Sequence, residues 1–222
     1  MSVDVKKFFT KYEYDCLSPY FSDNYTTCKI DEINSKIILT TSDGNRAVIK
    51  NRRLQELYLP NVTKIDNNFL AYNYTLTSID LPRVDIIGDS FLYYNKQLTS
   101  VNLPNIKEIW DCFLYTNTEL TSINLPKVKK IGAGFLSNNL HLKFLDLPVL
   151  EKIGGCFLYY NKQLTSLNLP KVKKIGDYFL KNNNALISVS MPAKFDDLKI
   201  KLLSQNNQLV SKLIKNYLKH TK

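Results

Sequence analysis

Histidine, cysteine and long apolar runs are all scarce in this 222-residue chain, and this scarcity narrows the functions open to it. The chain has two histidines and four cysteines, with no C-x-x-C pair, no glycine-rich phosphate loop and no G-x-S-x-G turn. Such residues and motifs supply most nucleophiles, general bases, metal ligands and phosphate cradles. We therefore predict a protein that is not an enzyme, with no catalytic residues, metal site, cofactor or small-molecule substrate.

Membrane and export signals are also missing from the sequence. No stretch approaches the run of about 18 apolar residues that a transmembrane helix needs. The N-terminal segment MSVDVKKFFTKYEYD lacks the apolar core of a secretory signal peptide. We predict no transmembrane segment and a cytoplasmic location, or translocation into a host cytosol by a route that uses no classical signal peptide.

A 22-residue period runs through most of the chain. Seven of its eight prolines fall on this period, and so do six phenylalanines and six asparagines. The three series are Pro60, Pro82, Pro104, Pro126, Pro148, Pro170 and Pro192; Phe69, Phe91, Phe113, Phe135, Phe157 and Phe179; and Asn73, Asn95, Asn117, Asn139, Asn161 and Asn183. A fixed period of this length is typical of a solenoid, in which each repeat packs on its neighbours.

Each repeat contains one strand signal, for example L-T-S-I-N-L-P at 120–126. Alternation predicts that Ile123 and Leu125 face the core while Ser122 and Asn124 face outward. Proline ends the strand because it donates no ladder hydrogen bond. The following glycine marks a sharp bend or a positive φ. Adjacent Phe-Leu pairs then break the alternation, so we expect a short helical or irregular turn there.

The periodic asparagine lies four residues beyond the phenylalanine. We interpret the asparagines as a ladder whose amides satisfy backbone groups in the turn. Sugar recognition is a functional alternative. We favour the structural interpretation, because a turn that is buried in every coil needs the same hydrogen bonds in every coil.

The repeat units resemble a known family. LTSINLPKVKKIGAGFL at 120–136 and LTSLNLPKVKKIGDYFL at 164–180 are similar to leucine-rich repeats of the BspA-like type. The resemblance covers 54–192 and implies a leucine-rich repeat solenoid with a parallel concave sheet. It also implies a role in adhesion or interaction, in a bacterium or another microbe that lives with a host.

We predict an α/β repeat fold in three parts. Residues 1–53 form an N-terminal cap with a helix and a hairpin, because Asp43-Gly44 lies between alternating apolar runs. Residues 54–193 form the leucine-rich repeat solenoid. Residues 194–222 form a C-terminal helical cap, since 196–220 has an amphipathic helical pattern.

The outward positions of the strands are the first candidate binding site. Repeat proteins hold partners on such surfaces, so we predict a protein–protein interaction scaffold whose partner binds the concave face. The candidate residues are Ser100, Asn102, Ser122, Asn124, Phe144, Asp146, Ser166 and Asn168. Phe144 replaces a serine, and it is either an exposed hot-spot residue or one that folds over the sheet edge.

A basic flank is the second candidate site. Residues 1–126 carry 13 Lys/Arg and 15 Asp/Glu, a net −2, whereas 127–222 carry 17 and 5, a net +12. The flank consists of Lys127, Lys129, Lys130, Lys152, Lys171, Lys173 and Lys174. It is either a solvated face that maintains solubility or a surface for an anionic partner, nucleic acid or acidic lipid. The absence of arginine beyond Arg83 favours the solvated face, because arginine makes most specific phosphate and base contacts.

The cysteines predict a reducing compartment. Cys112 and Cys156 hold the same repeat position two coils apart, which is roughly 10 Å at the strand spacing of a sheet. A disulfide requires Cα atoms within about 7 Å. Cys16 and Cys28 could meet in the N-terminal segment, but no disulfide framework is evident, which favours free thiols.

Overall fold

The protein is a parallel β-solenoid of about six turns, seen in a computed structural model that describes residues 4–21, 26–31, 36–51 and 53–195. Within these ranges the structure has one α helix, α1 (Lys11–Leu17), and short 3-10 helices at Val5–Phe8 and Ala193–Phe195. In chain order the strands are β1 (Thr26–Asp31), β2 (Lys36–Thr41), β3 (Arg46–Lys50), β4 (Arg53–Tyr58), β5 (Lys64–Ile65), β6 (Ser78–Asp80), β7 (Ile86–Ile87), β8 (Ser100–Asn102), β9 (Glu108–Ile109), β10 (Ser122–Asn124), β11 (Lys130–Ile131), β12 (Phe144–Asp146), β13 (Lys152–Ile153), β14 (Ser166–Asn168) and β15 (Ser188–Ser190).

The strands form two faces of the solenoid. On the concave face, the order β1-β2-β3-β4-β6-β8-β10 is followed by a separate group, β12-β14-β15. The pairs from β1 to β4 are antiparallel, and the later pairs are parallel. The second sheet, β5-β7-β9-β11-β13, is parallel and lies beyond the proline corner. The strand-and-proline reading of the repeat is confirmed.

Phenylalanine rings form the centre of the core. Successive rings of the periodic series stack with centroids 5.4 to 6.0 Å apart and planes within 13° of parallel. All six are buried, as are the inward leucines and isoleucines of both sheets except Ile123, which is partly buried. The 22-residue period therefore places the same ring in the same place in every coil.

The predicted asparagine ladder is confirmed. The amide of Asn95 donates to the carbonyl of Leu70 at 2.8 Å, and that of Asn139 donates to Leu114 at 2.9 Å. Asn117, Asn161 and Asn183 make the same bond to the leucine 25 residues earlier. Each amide thus satisfies a buried carbonyl of the preceding coil, which would otherwise cost about 1–3 kcal/mol.

The α/β class is not supported in the described residues, because each coil returns through turns instead of a helix. In the turn at 90–94, Ser90, Leu92 and Tyr94 all have positive φ, at 55°, 48° and 60°. The Leu92 N–H donates to Phe69 of the preceding coil, while those of Ser90 and Tyr94 donate to Asp111 and Tyr115 of the next. Alternating left-handed residues therefore direct successive N–H groups to opposite neighbours, a pattern that no α helix can produce.

The glycines at 132, 154 and 176 allow close approach between coils and do not have positive φ. A Cβ atom on Gly154 would lie 2.4 Å from the carbonyl carbon of Gly132, and one on Gly176 would lie 2.5 Å from that of Gly154. None of these three glycines has positive φ. Of the two predicted reasons for these glycines, a sharp bend or a positive φ, the structure therefore contradicts the positive φ.

Helix α1 packs on the first coil through a buried carboxylate. Glu13 is 4% exposed and completes a capping box with Thr10, whose N–H donates to Glu13 Oε2 at 2.9 Å. Its Oε1 accepts the amide of Asn73 at 2.7 Å. Asn73 is the first asparagine of the series, so Glu13 supplies the acceptor that a preceding coil supplies elsewhere.

The N-terminal segment also contains an antiparallel β2–β3 pair around Asp43-Gly44, with Leu39 opposite Ala47. The predicted C-terminal helical cap at 194–222 lies outside the described residues, except for the 3-10 turn of Ala193–Phe195. No helix in the described ranges is long and apolar enough to cross a membrane.

The glycine packing generates a stability prediction with a matched neighbour. We expect Gly154→Ala to lower the free energy of unfolding by about 2 kcal/mol, since the new methyl group overlaps backbone atoms that cannot move independently. Gly155→Ala should raise the free energy of unfolding by less than about 1 kcal/mol, because the nearest atom is 3.6 Å from the added Cβ. Urea unfolding followed by circular dichroism measures both. Equal destabilisation by the two variants would contradict the close-approach explanation.

Candidate functional site

The outward residues of the concave strands form two parallel rows. The strand register aligns Ser78, Ser100 and Ser122 in one row, and Asp80, Asn102 and Asn124 in the other. After the break in the sheet the rows resume as Phe144, Ser166 and Ser188 beside Asp146, Asn168 and Ser190. All eight predicted concave residues therefore lie on this face.

Part of the polar row is already hydrogen-bonded. Asn102 donates to Asp80 at 2.8 Å, and Asn168 donates to Asp146 at 2.8 Å. The Asn124 side chain makes no hydrogen bond to another described residue, so its amide is available to a partner. The face thus combines fixed acceptors with a free donor–acceptor group near its middle.

A shallow groove of about 510 Å³ occupies the N-terminal half of this face. Its walls include Arg46, Glu56 and Tyr58, which are not among the concave residues predicted from the sequence. Arg46 pairs with Glu56 at 3.4 Å, and both side chains are about 40% exposed. Only the pairing of β3 with β4 brings Arg46 to this face, so sequence periodicity alone gave no signal for it.

The concave sheet is interrupted between β10 and β12. In the regular coils a threonine hydroxyl donates to the preceding coil, as from Thr99 to the Thr77 carbonyl at 3.0 Å and from Thr121 to Thr99 at 3.3 Å. Lys143 takes the threonine position in the next coil and has no hydroxyl. No strand ladder joins β10 to β12 among the described residues, while β11 and β13 remain paired behind them.

Phe144 lies at this interruption and is 56% exposed. Ile123 on the other side of the interruption is only partly buried, unlike the equivalent Val101 and Leu145. An apolar ring and a partly uncovered apolar strand residue therefore occur together in an otherwise polar face. Large aromatic side chains in such settings are typical interface anchors.

The predicted basic flank lies on the second sheet and its corners. Lys130, Lys152 and Lys174 are adjacent in register, at a spacing of roughly 5 Å. Two of the seven lysines have acidic partners: Lys130 lies 3.6 Å from Glu108, and Lys173 lies 2.7 Å from Glu151. The other five have no carboxylate within 4 Å among the described residues, and Lys127 instead donates to Asn105 at 2.6 Å.

Electrostatics separate the two candidate faces. The hydrogen bond and charge of Lys173 lower the pKa of Glu151, so this carboxylate stays ionised within the lysine cluster. In the two rows and the groove walls, the ionised groups are three carboxylates (Glu56, Asp80 and Asp146) and one cation, Arg46. A partner that fits one face is therefore poorly matched to the other.

Comparison with known proteins gives a consistent result. The family model described as "BspA type Leucine rich repeat region" matches residues 22–118 and 110–221, with six copies. No curated protein matches the sequence closely enough to count as a relative.

Among solved structures, a leucine-rich repeat protein from Bacteroides ovatus aligns with a TM-score of 0.57 and 24% identity, over 64% of this chain. This chain spans 38% of that protein. A T. pallidum leucine-rich repeat protein aligns with a TM-score of 0.62 and 19% identity, over 82% of this chain and 95% of its own. At these identities the likeness concerns the fold.

Proposed function

The chain belongs to the BspA-type leucine-rich repeat family, and we propose that it is a non-catalytic scaffold that binds another protein through its concave face. Leucine-rich repeat families generally serve as protein-interaction scaffolds. The observation that carries the proposal is the exposed ring of Phe144 beside the interruption of a polar sheet.

The dimensions of the face fit this role. The seven strands from β4, which contains Glu56, to β15, which contains Ser188, span about 30 Å at the strand spacing of a sheet. This length is comparable with one side of a standard interface. Phe144 lies near the middle of that span, where hot-spot residues concentrate. The excess of carboxylates over cations favours a partner that presents basic groups around an apolar contact.

A triple variant tests the concave face. We expect Phe144→Ala with Asn124→Arg and Asn168→Arg to abolish partner binding, because it removes the apolar anchor and adds two bulky cations to the rows. The measurement is capture of partners from host and producer lysates by the immobilised protein, followed by calorimetry with the purified partner.

Trp110→Ala is the matched control, since Trp110 is an aromatic residue 54% exposed away from the concave strands. It should leave binding intact. Retention of every interaction by the triple variant would refute the concave-face proposal.

A second candidate function is binding of an anionic surface, either nucleic acid or acidic lipid, through the basic flank. The row of Lys130, Lys152 and Lys174 favours it, because these cations are adjacent and only Lys130 has a carboxylate within 4 Å among the described residues. Lysine contacts with a polyanion release counterions, so such binding depends steeply on salt.

The lysine row can be tested by charge reversal. We expect changing Lys130, Lys152 and Lys174 to Glu to abolish retention on heparin. In the unmodified protein, affinity should fall steeply between about 50 and 200 mM salt. The control changes the same charge elsewhere, with Lys96, Lys162 and Lys181 replaced by Glu. Equal losses of heparin retention in both variants would show that net charge, and not the lysine row, causes binding. Binding that is insensitive to salt would contradict the proposal of an anionic partner.

We also propose that the protein acts in a cytosol, either that of the producing cell or that of a host cell into which it is delivered as an effector. The four cysteines are free thiols, a state that a reducing compartment maintains. Fractionation of producing cells, alone and in contact with host cells, should recover the protein from soluble cytosol. Recovery from the outer surface of the producer would restore the adhesin role instead.

A further inference from the structure

Two adjoining grooves lie on the N-terminal part of the solenoid, outside the two concave rows. The first, of about 540 Å³, runs between α1 and the first coil and is lined by Tyr12, Tyr72 and Tyr74. These rings are 42%, 56% and 54% exposed. Three exposed aromatic rings around one groove provide the faces on which a cation or a planar group binds.

Two of the three rings, Tyr12 and Tyr72, are held in place before any ligand arrives. The hydroxyl of Tyr12 donates to the Asn68 carbonyl at 2.5 Å, which joins α1 to the turn of the first coil. Tyr72 packs against Tyr93 and Tyr94, with centroids 5.4 and 5.7 Å apart. A ligand therefore loses little affinity to ordering of these side chains.

Glu13 gives this groove a negative charge. Its carboxylate lines the groove, is 4% exposed and accepts hydrogen bonds from Asn73 and from the Thr10 backbone. No described cation lies within 4 Å of it. A buried carboxylate with neutral partners favours a cationic group in the groove beside it.

The second groove, of about 570 Å³, has the opposite character. It is lined by Lys50, Arg53, Gln55 and Gln97, with cationic and amide donors suited to an anion. Arg53 and Tyr74 line both grooves, so the two form one continuous site. Arginine presents a planar pair of donors that matches phosphate geometry.

The shared arginine decides which class of ligand fits. A simple ammonium ion beside the tyrosines would be repelled by Arg53, and a phosphate alone would leave Glu13 and the aromatic rings unused. A ligand that carries both charges satisfies both grooves. Because aromatic ring faces recognise quaternary ammonium groups, we infer a small ligand whose quaternary ammonium and phosphate are a few bonds apart.

We propose that the two grooves form a binding site for a phosphocholine group. The trimethylammonium lies among Tyr12, Tyr72 and Tyr74, within the field of Glu13, and the phosphate lies against Arg53 and Lys50. This goes beyond the scaffold function, since none of these residues belongs to the concave rows.

Calorimetric titration of the full chain tests the site with three probes: phosphocholine, choline and inorganic phosphate. We expect phosphocholine to bind at least about tenfold more tightly than either single-charge probe. Tyr72→Ala with Tyr74→Ala should weaken phosphocholine binding at least about tenfold, since two ring faces are lost. Arg53→Gln should remove the preference for phosphocholine over choline.

Tyr160→Ala with Tyr178→Ala is the matched control, because these tyrosines are 36% and 60% exposed on distant coils. It should leave the affinity unchanged. Equal binding of choline and phosphocholine, no binding of phosphocholine, or an equal loss in the control variant would each overturn the proposal.

Two further arms identify the source of the group and separate this site from the scaffold function. If the protein sediments with phosphatidylcholine vesicles but not with phosphatidylglycerol vesicles, the phosphocholine group that it binds is a lipid headgroup. Binding of soluble phosphocholine without sedimentation assigns a free or sugar-linked group, and both results support the site. The concave triple variant should bind phosphocholine normally, and the Tyr72/Tyr74 variant should still capture protein partners, so each proposal fails independently.

Discussion

Hydrogen bonds between equivalent backbone groups of successive coils fix their separation, and every other feature of the molecule has to conform to that separation. The bonds alternate in direction within the turns, as at Leu92 and Tyr94, so each coil is tied to both neighbours. Glycine is needed at 154 and 176 because the backbones are too close for a Cβ atom. Phenylalanine rings stack at 5.4 to 6.0 Å because the same spacing carries them from coil to coil.

Much of this arrangement could be predicted from the sequence because a repeat multiplies weak signals. One proline after an alternating segment is ambiguous, but the same pair in seven places identifies the strands and their ends. The asparagine ladder followed from the same logic. The left-handed turns were not predictable, because residues such as Leu92 and Tyr94 rarely adopt positive φ and nothing in their identity indicates it.

The candidate sites also include residues that could be predicted from the sequence and residues that could not. Phe144 could be selected from the sequence because it departs from the repeat, and Lys143 departs beside it. The interruption of the sheet between β10 and β12 could not be predicted, because the sequence keeps its 22-residue spacing through this coil. Arg46 and Glu13 belong to the N-terminal segment. The sequence of this segment does not repeat, so no repeated pattern indicates where these two side chains lie.

Positions that hold the coils together are separate in this protein from positions that are free to vary. The inward leucines, the ladder asparagines and the glycines are constrained by neighbours on both sides, so a change there is felt by two coils. The outward concave residues and the lysines of the second sheet touch few neighbours and cost little to change. Segments such as FLYYNKQLTS occur unchanged at 91–100 and 157–166, exposed positions such as Lys96 and Lys162 included, so the repeat is uniform beyond its constrained positions. Against that uniformity, Phe144 and Lys143 are informative because they depart from the repeat and the fold does not require them, and this departure is the basis of the proposed concave binding site.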